Sequence, residues 1–291
     1  MRVVRTRQDM REARLALAEP VGFVPTMGAL HEGHASLVRR AGEECASVVV
    51  SVFVNPAQFG PNEDFSRYPR DEAADLALLE SLGVDVAFLP TVEEMYPPGA
   101  VTSVDVGRLG EVLEGAVRPG HFRGVATVVA MLLNLVEPHK AYFGQKDGQQ
   151  SVVVRNVVRN LAIPGQIVIC PTIREPDGLA MSSRNRYLTP DERAQAPSLH
   201  AALQAAAVAL TDGESSADSL RKMLLERLAP ATLGKVDYVS VADADTLEEL
   251  VTVDRPALAS LAVRFPSARL IDCLPLVPPA ARVPGDQSLP A

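Results

Sequence analysis

Val21-Gly-Phe-Val-Pro-Thr-Met-Gly-Ala-Leu-His-Glu-Gly-His34 is the stretch whose reading sets the fold class. Residues 21–26 form a short apolar run stopped by Pro and Gly signals, the pattern of a buried strand. The run turns into a helix over His34 to Glu44. Gly28 lets the backbone turn tightly, and Gly33 lets it approach a ligand. A helix start offers unpaired N–H groups and partial positive charge, which suit a phosphate. His31 and His34 are three apart, so both rings fit one side of a single turn. Two imidazoles there can stabilise charge building on a triphosphate during substitution at phosphorus. Taken alone, the pair fits two surface histidines at a helix start equally well. A zinc reading is weaker: His-Glu-Gly-His lacks the four-residue spacing of a metalloprotease helix, and no third ligand is evident.

Working outward, the first half repeats strand then helix. Ser47 to Asn55 is rich in β-branched residues and bounded by Pro56; Val84 to Pro90, His139 to Gly144 and Gln166 to Pro171 are similar runs. Between them lie helical patterns at Asp71 to Leu82, with Ala74, Leu78 and Leu82 on one face, at the nearly all-apolar Val125 to Val136, and at Asp147 to Leu161. This alternation predicts an α/β fold with a doubly wound, parallel, Rossmann-like sheet. After about Arg174 the texture changes. An Ala-rich helix over Thr189 to Leu210 and a second over Ala217 to Leu228 precede strand-like runs at Val236 to Val241, Ala257 to Phe265 and Arg269 to Leu274. That order suggests a second, smaller α+β domain. The expected division is residues 1–175 and 176–291, with a flexible Pro-rich tail from Pro275 to Ala291.

Bulk properties narrow the function classes. The 291 residues carry a formal net charge of -8, which argues against a general nucleic-acid binder with a basic face. Cys45, Cys170 and Cys273 are odd in number and widely spaced, so neither a disulfide framework nor a structural zinc site is expected. No apolar run reaches the roughly 20 residues that span a membrane, and no signal peptide is visible. A cytoplasmic location is expected.

Three further segments carry chemistry. Ala180-Met-Ser-Ser-Arg-Asn-Arg-Tyr-Leu188 puts the hydroxyls of Ser182 and Ser183 beside the planar donor fork of Arg184, a set suited to phosphate oxygens. By itself it also fits a polar interdomain turn. Phe143-Gly-Gln-Lys-Asp147 ends a predicted strand, the place where open α/β sheets bind ligands. Lys146 there is a point charge for phosphate, and Asp147 either accepts from a ribose or caps the next helix. Val54 to Asp64 follows another strand end. Its Asn55 and Gln58 are amides able to hold a hydroxy acid by donating and accepting. Gln149 and Gln150 open the helix after Lys146, and Gln150 can reach the same ligand. Each residue singly also fits loop chemistry; the set at consecutive strand ends favours a site.

The His-x-x-His and Met-Ser-Ser-Arg segments resemble the HIGH-type and KMSKS-type signatures of the nucleotidyltransferase superfamily. With FVNPAQFGPNED, the Tyr68-Pro-Arg turn, HFRGVATVV, FGQKD and DGLAMSSRNRYL in the same chain order, the sequence is similar to the pantoate–β-alanine ligase (pantothenate synthetase) family. The similarity is strong over about residues 20–190 and weaker through VDYVSVADADTLEEL and ARLID. It implies an ATP-dependent ligase. Pantoate attacks the α-phosphorus of ATP to give pantoyl-adenylate and pyrophosphate; β-alanine then displaces AMP, giving pantothenate.

The resemblance also implies residue roles. His34, His31, Lys146 and Arg184 would be catalytic. Met27, Gly28, Ala29, Leu30, His31, Glu32, Gly33 and His34 would line the ATP site, with Gly144, Gln145, Lys146, Asp147, Ile173, Met181, Ser182, Ser183 and Arg184. Gln58 and Gln150 would bind pantoate, Gln58 would later take β-alanine, and Asn55 would shape the pocket. Mg²⁺ would arrive largely on ATP, with a contribution from Asp75. Residues 1–175 would bind ATP and D-pantoate, residues 176–291 would be a lid-like domain, and the chain would be a homodimer. Two departures stand out: family members commonly have Glu where Gln145 sits and an aromatic where Gly148 sits, which leaves the helix start at 148 in doubt. The runner-up reading is another small adenylyl-transferring nucleotidyltransferase, which would retain AMP in its product. A nucleotide-binding regulatory protein that lost activity is a second alternative, opposed by the intact signatures. A tRNA synthetase is not expected, since no anticodon-binding module is apparent.

Overall fold

Near-continuous apolar runs need cover on both faces, and helices supply it here. The structure, a computed structural model, describes residues 1–61, 63 and 65–281. Six parallel strands form the larger sheet: β1 (Arg2–Val4), β2 (Val21–Thr26), β3 (Ser47–Val52), β4 (Val86–Phe88), β5 (Lys140–Gly144) and β6 (Gln166–Cys170). Their spatial order is β1-β4-β3-β2-β5-β6. Successive side chains point to opposite faces, so one sheet feeds two cores. Phe23, Val49, Phe88 and Phe143 enter one core with the helix His121–Val136. Val24, Val50, Ala87 and Tyr142 enter the other with Leu37 and Val38 of the helix Glu32–Glu44 and Leu79 of the helix Glu72–Ser81.

The strand order positions the site. From β2 the chain builds outward through β3 and β4, then returns to place β5 and β6 on the other side of β2. The connections reverse direction between β2 and β5, and ligands of open α/β sheets bind at the strand carboxyl ends there. The loop after β2 starts at that point, and Gly144 ends β5.

The chain divides into two compact units, one of residues 1–144 and 153–170, the other of residues 145–152 and 171–291. The second holds three antiparallel strands, β7 (Lys235–Asp243), β8 (Ala257–Arg264) and β9 (Arg269–Leu276), in that spatial order. Leu199, Leu203, Leu220 and Leu224 of the helices Ser198–Thr211 and Ala217–Leu228 share a core with Val241, Leu261 and Phe265. The α/β class and the smaller α+β part are as the sequence pattern predicts. The expected division at 175/176 differs from the observed one at 170/171, and the segment 145–152 groups with the later residues.

Local differences have physical causes. The helix Glu72–Ser81 buries Asp75 and Leu79, whereas Ala74 of the predicted face is exposed. Burial of Asp75 turns the helix, and the reason lies in the site below. The predicted helix over 189–210 is two helices, Pro190–Gln195 and Ser198–Thr211, parted at Pro197, whose ring cannot continue the hydrogen-bond ladder. The predicted loose tail begins too early: β9 continues to Leu276, and a 3₁₀ turn covers Pro279–Ala281. The rest of that tail, from 282, and positions 62 and 64 of the polar segment lie outside the described residues.

Candidate active site

In the first unit, the loop after β2 is shaped by one buried carboxylate. Gly28 has φ +82° and Ala29 φ 51°, so the chain turns through left-handed geometry. A Cβ on Gly28 would sit 2.9 Å from Asp75 Oδ2 and 3.0 Å from Val52 Cγ1, so glycine is required on two grounds. Asp75 accepts from the Ala29 N–H at 3.0 Å and from the Leu30 N–H at 2.8 Å, one on each oxygen. Asp75, expected from the resemblance to contribute to Mg²⁺, thus has a structural task in this loop. The residue is 4 % exposed and its carboxylate holds loop amides; among the described residues no group of three or more His, Cys, Asp or Glu is placed to hold a metal.

His31 caps the helix Glu32–Glu44. Its Nδ1 accepts from the Gly33 N–H at 3.1 Å, and His34 Nδ1 accepts from the His31 N–H at 3.3 Å. This is a capping box built of two imidazoles in place of the usual hydroxyl and carboxylate. In a neutral imidazole an accepting Nδ1 places the proton on Nε2, at the far side of the ring. The ring centroids are 4.2 Å apart. Two N–H donors thus stand side by side at a helix N-terminus.

Asn55 and Gln58 follow β3. Asn55 is 1 % exposed, and each of its polar atoms is engaged. Its Oδ1 accepts from the Ala57 N–H at 3.2 Å and from Tyr96 OH at 2.9 Å. Its Nδ2 donates to the Gly124 carbonyl and to Gln58 Oε1, both at 3.1 Å. Burial pushes Tyr96 up to about 12, so its hydroxyl stays a donor. With its capacity spent, Asn55 fixes the Gln58 amide. Gln58 Nε2 donates to Met27 Sδ at 3.1 Å, which joins this turn to the histidine loop.

Gly124 lets the helix His121–Val136 lie against the turn: a Cβ there would sit 2.2 Å from the Ala57 carbonyl oxygen. Because the obstacle is backbone, Gly124→Ala is expected to cost about 1–3 kcal/mol of stability and to raise KM for the ligand on Gln58. Urea denaturation and steady-state kinetics check this; wild-type values of both would contradict the packing.

His121 and Arg118 complete the turn and were not singled out from sequence. His121 Nδ1 donates to the Gln58 carbonyl at 2.8 Å, so its Nε2 accepts from Arg118 Nη1 at 3.0 Å. Arg118 also donates to the Gln58 carbonyl at 3.2 Å and binds both oxygens of Glu63 at 2.6 Å. Their signal was present in Arg118-Pro-Gly-His-Phe-Arg, but the partners are backbone atoms, which a motif does not display. Burial, with the Arg118 charge, lowers His121 to about 4. The unfolded chain takes up this proton near the ordinary value of about 6.5, so the stability from a neutral His121 is complete above 6.5 and lost as pH falls towards 4. The loss is on the order of 3 kcal/mol at most. Urea melts between pH 7 and 4.5 are expected to show it, and His121→Gln to flatten the slope; an unchanged slope in the variant would refute the assignment.

In the second unit, Lys146 Nζ lies 3.6 Å from Asp147 Oδ1. Gln150 is half-buried in the first turn of the helix Gly148–Asn160, and Gln149 is buried. Ile173 and Met181 meet: the Met181 N–H donates to the Ile173 carbonyl at 2.9 Å, and Arg174 pairs with Ala180 as an antiparallel bridge. Ser182 then caps the 3₁₀ turn Ser183–Tyr187, accepting from the Arg184 N–H at 3.3 Å. The glycine at 148 has a steric reason, since a Cβ there would lie 2.6 Å from Cys273 Sγ and 2.7 Å from Leu258 Cδ2.

The sequence matches the family described as Pantoate-beta-alanine ligase over residues 2–275. The chain belongs to the pantoate–β-alanine ligase family. A pantothenate synthetase of Chloroflexus aggregans is 60 % identical over 273 residues, covering 94 % of this chain and 98 % of that protein. The crystal structure of pantothenate synthetase from Thermus thermophilus is similar with a TM-score of 0.90 and 52 % identity, covering 96 % of this chain and 100 % of that one. The pantoate–β-alanine ligase of Francisella tularensis, complexed with beta-gamma ATP and β-alanine, is similar with a TM-score of 0.77 and 34 % identity over 94 % of this chain and 97 % of its own. Membership of this ligase family makes the chain an enzyme, and it disfavours the runner-up, another adenylyl-transferring nucleotidyltransferase. No helix among the described residues is long and apolar enough to cross a membrane.

Proposed function

We propose that this chain condenses D-pantoate with β-alanine to pantothenate through a pantoyl-adenylate, releasing AMP and pyrophosphate. The observation that carries the reading is the join between Met27 and Gln58, 3.1 Å from sulfur to amide nitrogen. It brings the helix-start donors of His31 and His34 and the buried Asn55–Gln58 amides to neighbouring strand ends. A triphosphate on the first and a hydroxy acid on the second would put a carboxylate beside the α-phosphorus.

In the first step a pantoate carboxylate oxygen bonds to the α-phosphorus, and the bond to pyrophosphate breaks. In the second the β-alanine amine bonds to the acyl carbon, the bond to AMP breaks, and the amine loses a proton. Neither step needs a protein nucleophile; both need positioning and charge stabilisation. His34 and His31 would donate from Nε2 to the phosphate oxygens, and Lys146 and Arg184 would supply fixed cations. Met27 to His34, Gly144 to Asp147, Ile173 and Met181 to Arg184 would hold ATP. Gln58 and Gln150 would hold pantoate and Asn55 would fix Gln58, which later takes β-alanine. Mg²⁺ belongs to this reading as a companion of ATP, where it would neutralise phosphate charge. A homodimer in the cytoplasm, with the smaller C-terminal part as a lid, completes the proposal.

The test is AMP and pyrophosphate release from ATP and Mg²⁺, with D-pantoate and β-alanine added separately and together. AMP formation that requires both, with pantothenate as product, is expected. Turnover independent of pantoate, or AMP retained in the product, would overturn the reading.

A further inference from the structure

We propose that Asp272 and Cys273, consecutive residues of β9, are positioning residues that set the geometry of both nucleotide segments of the second unit. The inference rests on the reading of residues 145–147 and 181–184 as ATP-binding. Among the described residues β9 lies at the edge of its three-stranded sheet, paired with β8. Neighbouring residues of a strand point to opposite faces, so the two side chains serve different partners.

Cys273 serves the lysine loop. Its Sγ donates to the Gln145 carbonyl at 2.9 Å and approaches the Lys146 carbonyl at 3.6 Å, while Gln145 Nε2 donates back to Sγ at 3.7 Å. The thiol is 2 % exposed. Burial, with the Asp272 charge, pushes it up to about 12, so it stays protonated and remains a donor. Lack of a side chain at Gly148 leaves room for the sulfur, as the 2.6 Å approach of a Cβ there demonstrates. The backbone bearing Lys146 is thus moulded to the thiol.

Asp272 serves the serine-arginine loop. Its oxygens accept from Arg174 Nη1 at 2.6 Å and Nη2 at 3.1 Å, a two-point pair with side chains 2 % and 16 % exposed. Arg174 Nη1 also donates to the Gly178 carbonyl at 3.2 Å. That closes the turn between Ile173 and Met181, which delivers Ser182, Ser183 and Arg184. The Cys273 N–H donates to Asp272 Oδ1 at 2.8 Å and fixes the carboxylate. A shift of β9 therefore moves both segments together, although neither β9 side chain is assigned to ATP.

The test is steady-state kinetics of Cys273→Ala, Cys273→Ser and Asp272→Asn, beside Lys146→Ala and Ser182→Ala as direct-contact controls. Cys273→Ala and Asp272→Asn are expected to raise KM for ATP about fivefold or more, the scale of one net hydrogen bond. KM for pantoate and for β-alanine should stay near wild type. Cys273→Ser, which keeps a donor, should recover most of the loss. KM does not depend on the active fraction, so partial unfolding of a variant does not obscure the reading. If the controls raise KM for ATP while Cys273→Ala and Asp272→Asn match wild type, or if Ser is no better than Ala, the positioning role is overturned. If the controls themselves leave KM for ATP unchanged, the ATP assignment fails and this inference falls with it.

Discussion

His34→Ala is expected to lower kcat about 10²–10³-fold, the usual effect of removing one preorganised donor from developing charge. The same substitution removes the acceptor for the His31 N–H. That costs about 1 kcal/mol, or about 2–4 °C in Tm for a chain of this size. The two effects separate in His34→Gln. Glutamine at the third helical position is an ordinary capping-box partner, so Tm should recover. Turnover should not, because the amide does not return an N–H to the place of Nε2. Near-native kcat in His34→Ala would remove this histidine from the chemistry. A parallel recovery of kcat and Tm in His34→Gln would reduce it to a cap.

Asp75→Asn is expected to be the most damaging isosteric change in the histidine loop. An asparagine keeps the shape but turns one acceptor into a donor, set against the Ala29 or Leu30 N–H. Hydrogen bonds to a charged group contribute about 1.5–3 kcal/mol each. One is lost outright and the other weakened, so a destabilisation of about 3–5 kcal/mol is expected, with a loss of turnover as the loop departs from its left-handed turn. The loss should appear in urea denaturation without Mg²⁺ or nucleotide, and excess Mg²⁺ should not restore turnover. A variant of wild-type stability whose activity returns at high Mg²⁺ would make Asp75 a metal ligand after all.

Much of the architecture was legible because its signals are local. The β-branched run from Ser47 and the apolar run from Val21 announce strands, and the motif from Pro25 to His34 lies where β2 meets its helix. Much of what could not be read depends on partners that no local pattern displays, often backbone atoms far away in the chain. Asp75 sits in a helix that reads as amphipathic on another face, and its amides are 45 and 46 positions away. His121 reaches a carbonyl 63 positions away, and Cys273 reaches one 128 positions away. Asn55 was placed at the site from its residue type. Its task of holding Gln58 appears only when its four hydrogen bonds are traced. Gly148 reads as a weak helix start until the sulfur beside it accounts for the missing side chain.

The most direct measurement of the central claim follows the oxygen of the pantoate carboxylate. With both carboxylate oxygens labelled as ¹⁸O, and with ATP, Mg²⁺ and β-alanine, attack on the α-phosphorus transfers one labelled oxygen to that phosphorus. The account predicts AMP carrying a single ¹⁸O, seen by mass spectrometry, and unlabelled pyrophosphate. Unlabelled AMP, or label appearing in pyrophosphate or orthophosphate, would contradict activation through a pantoyl-adenylate.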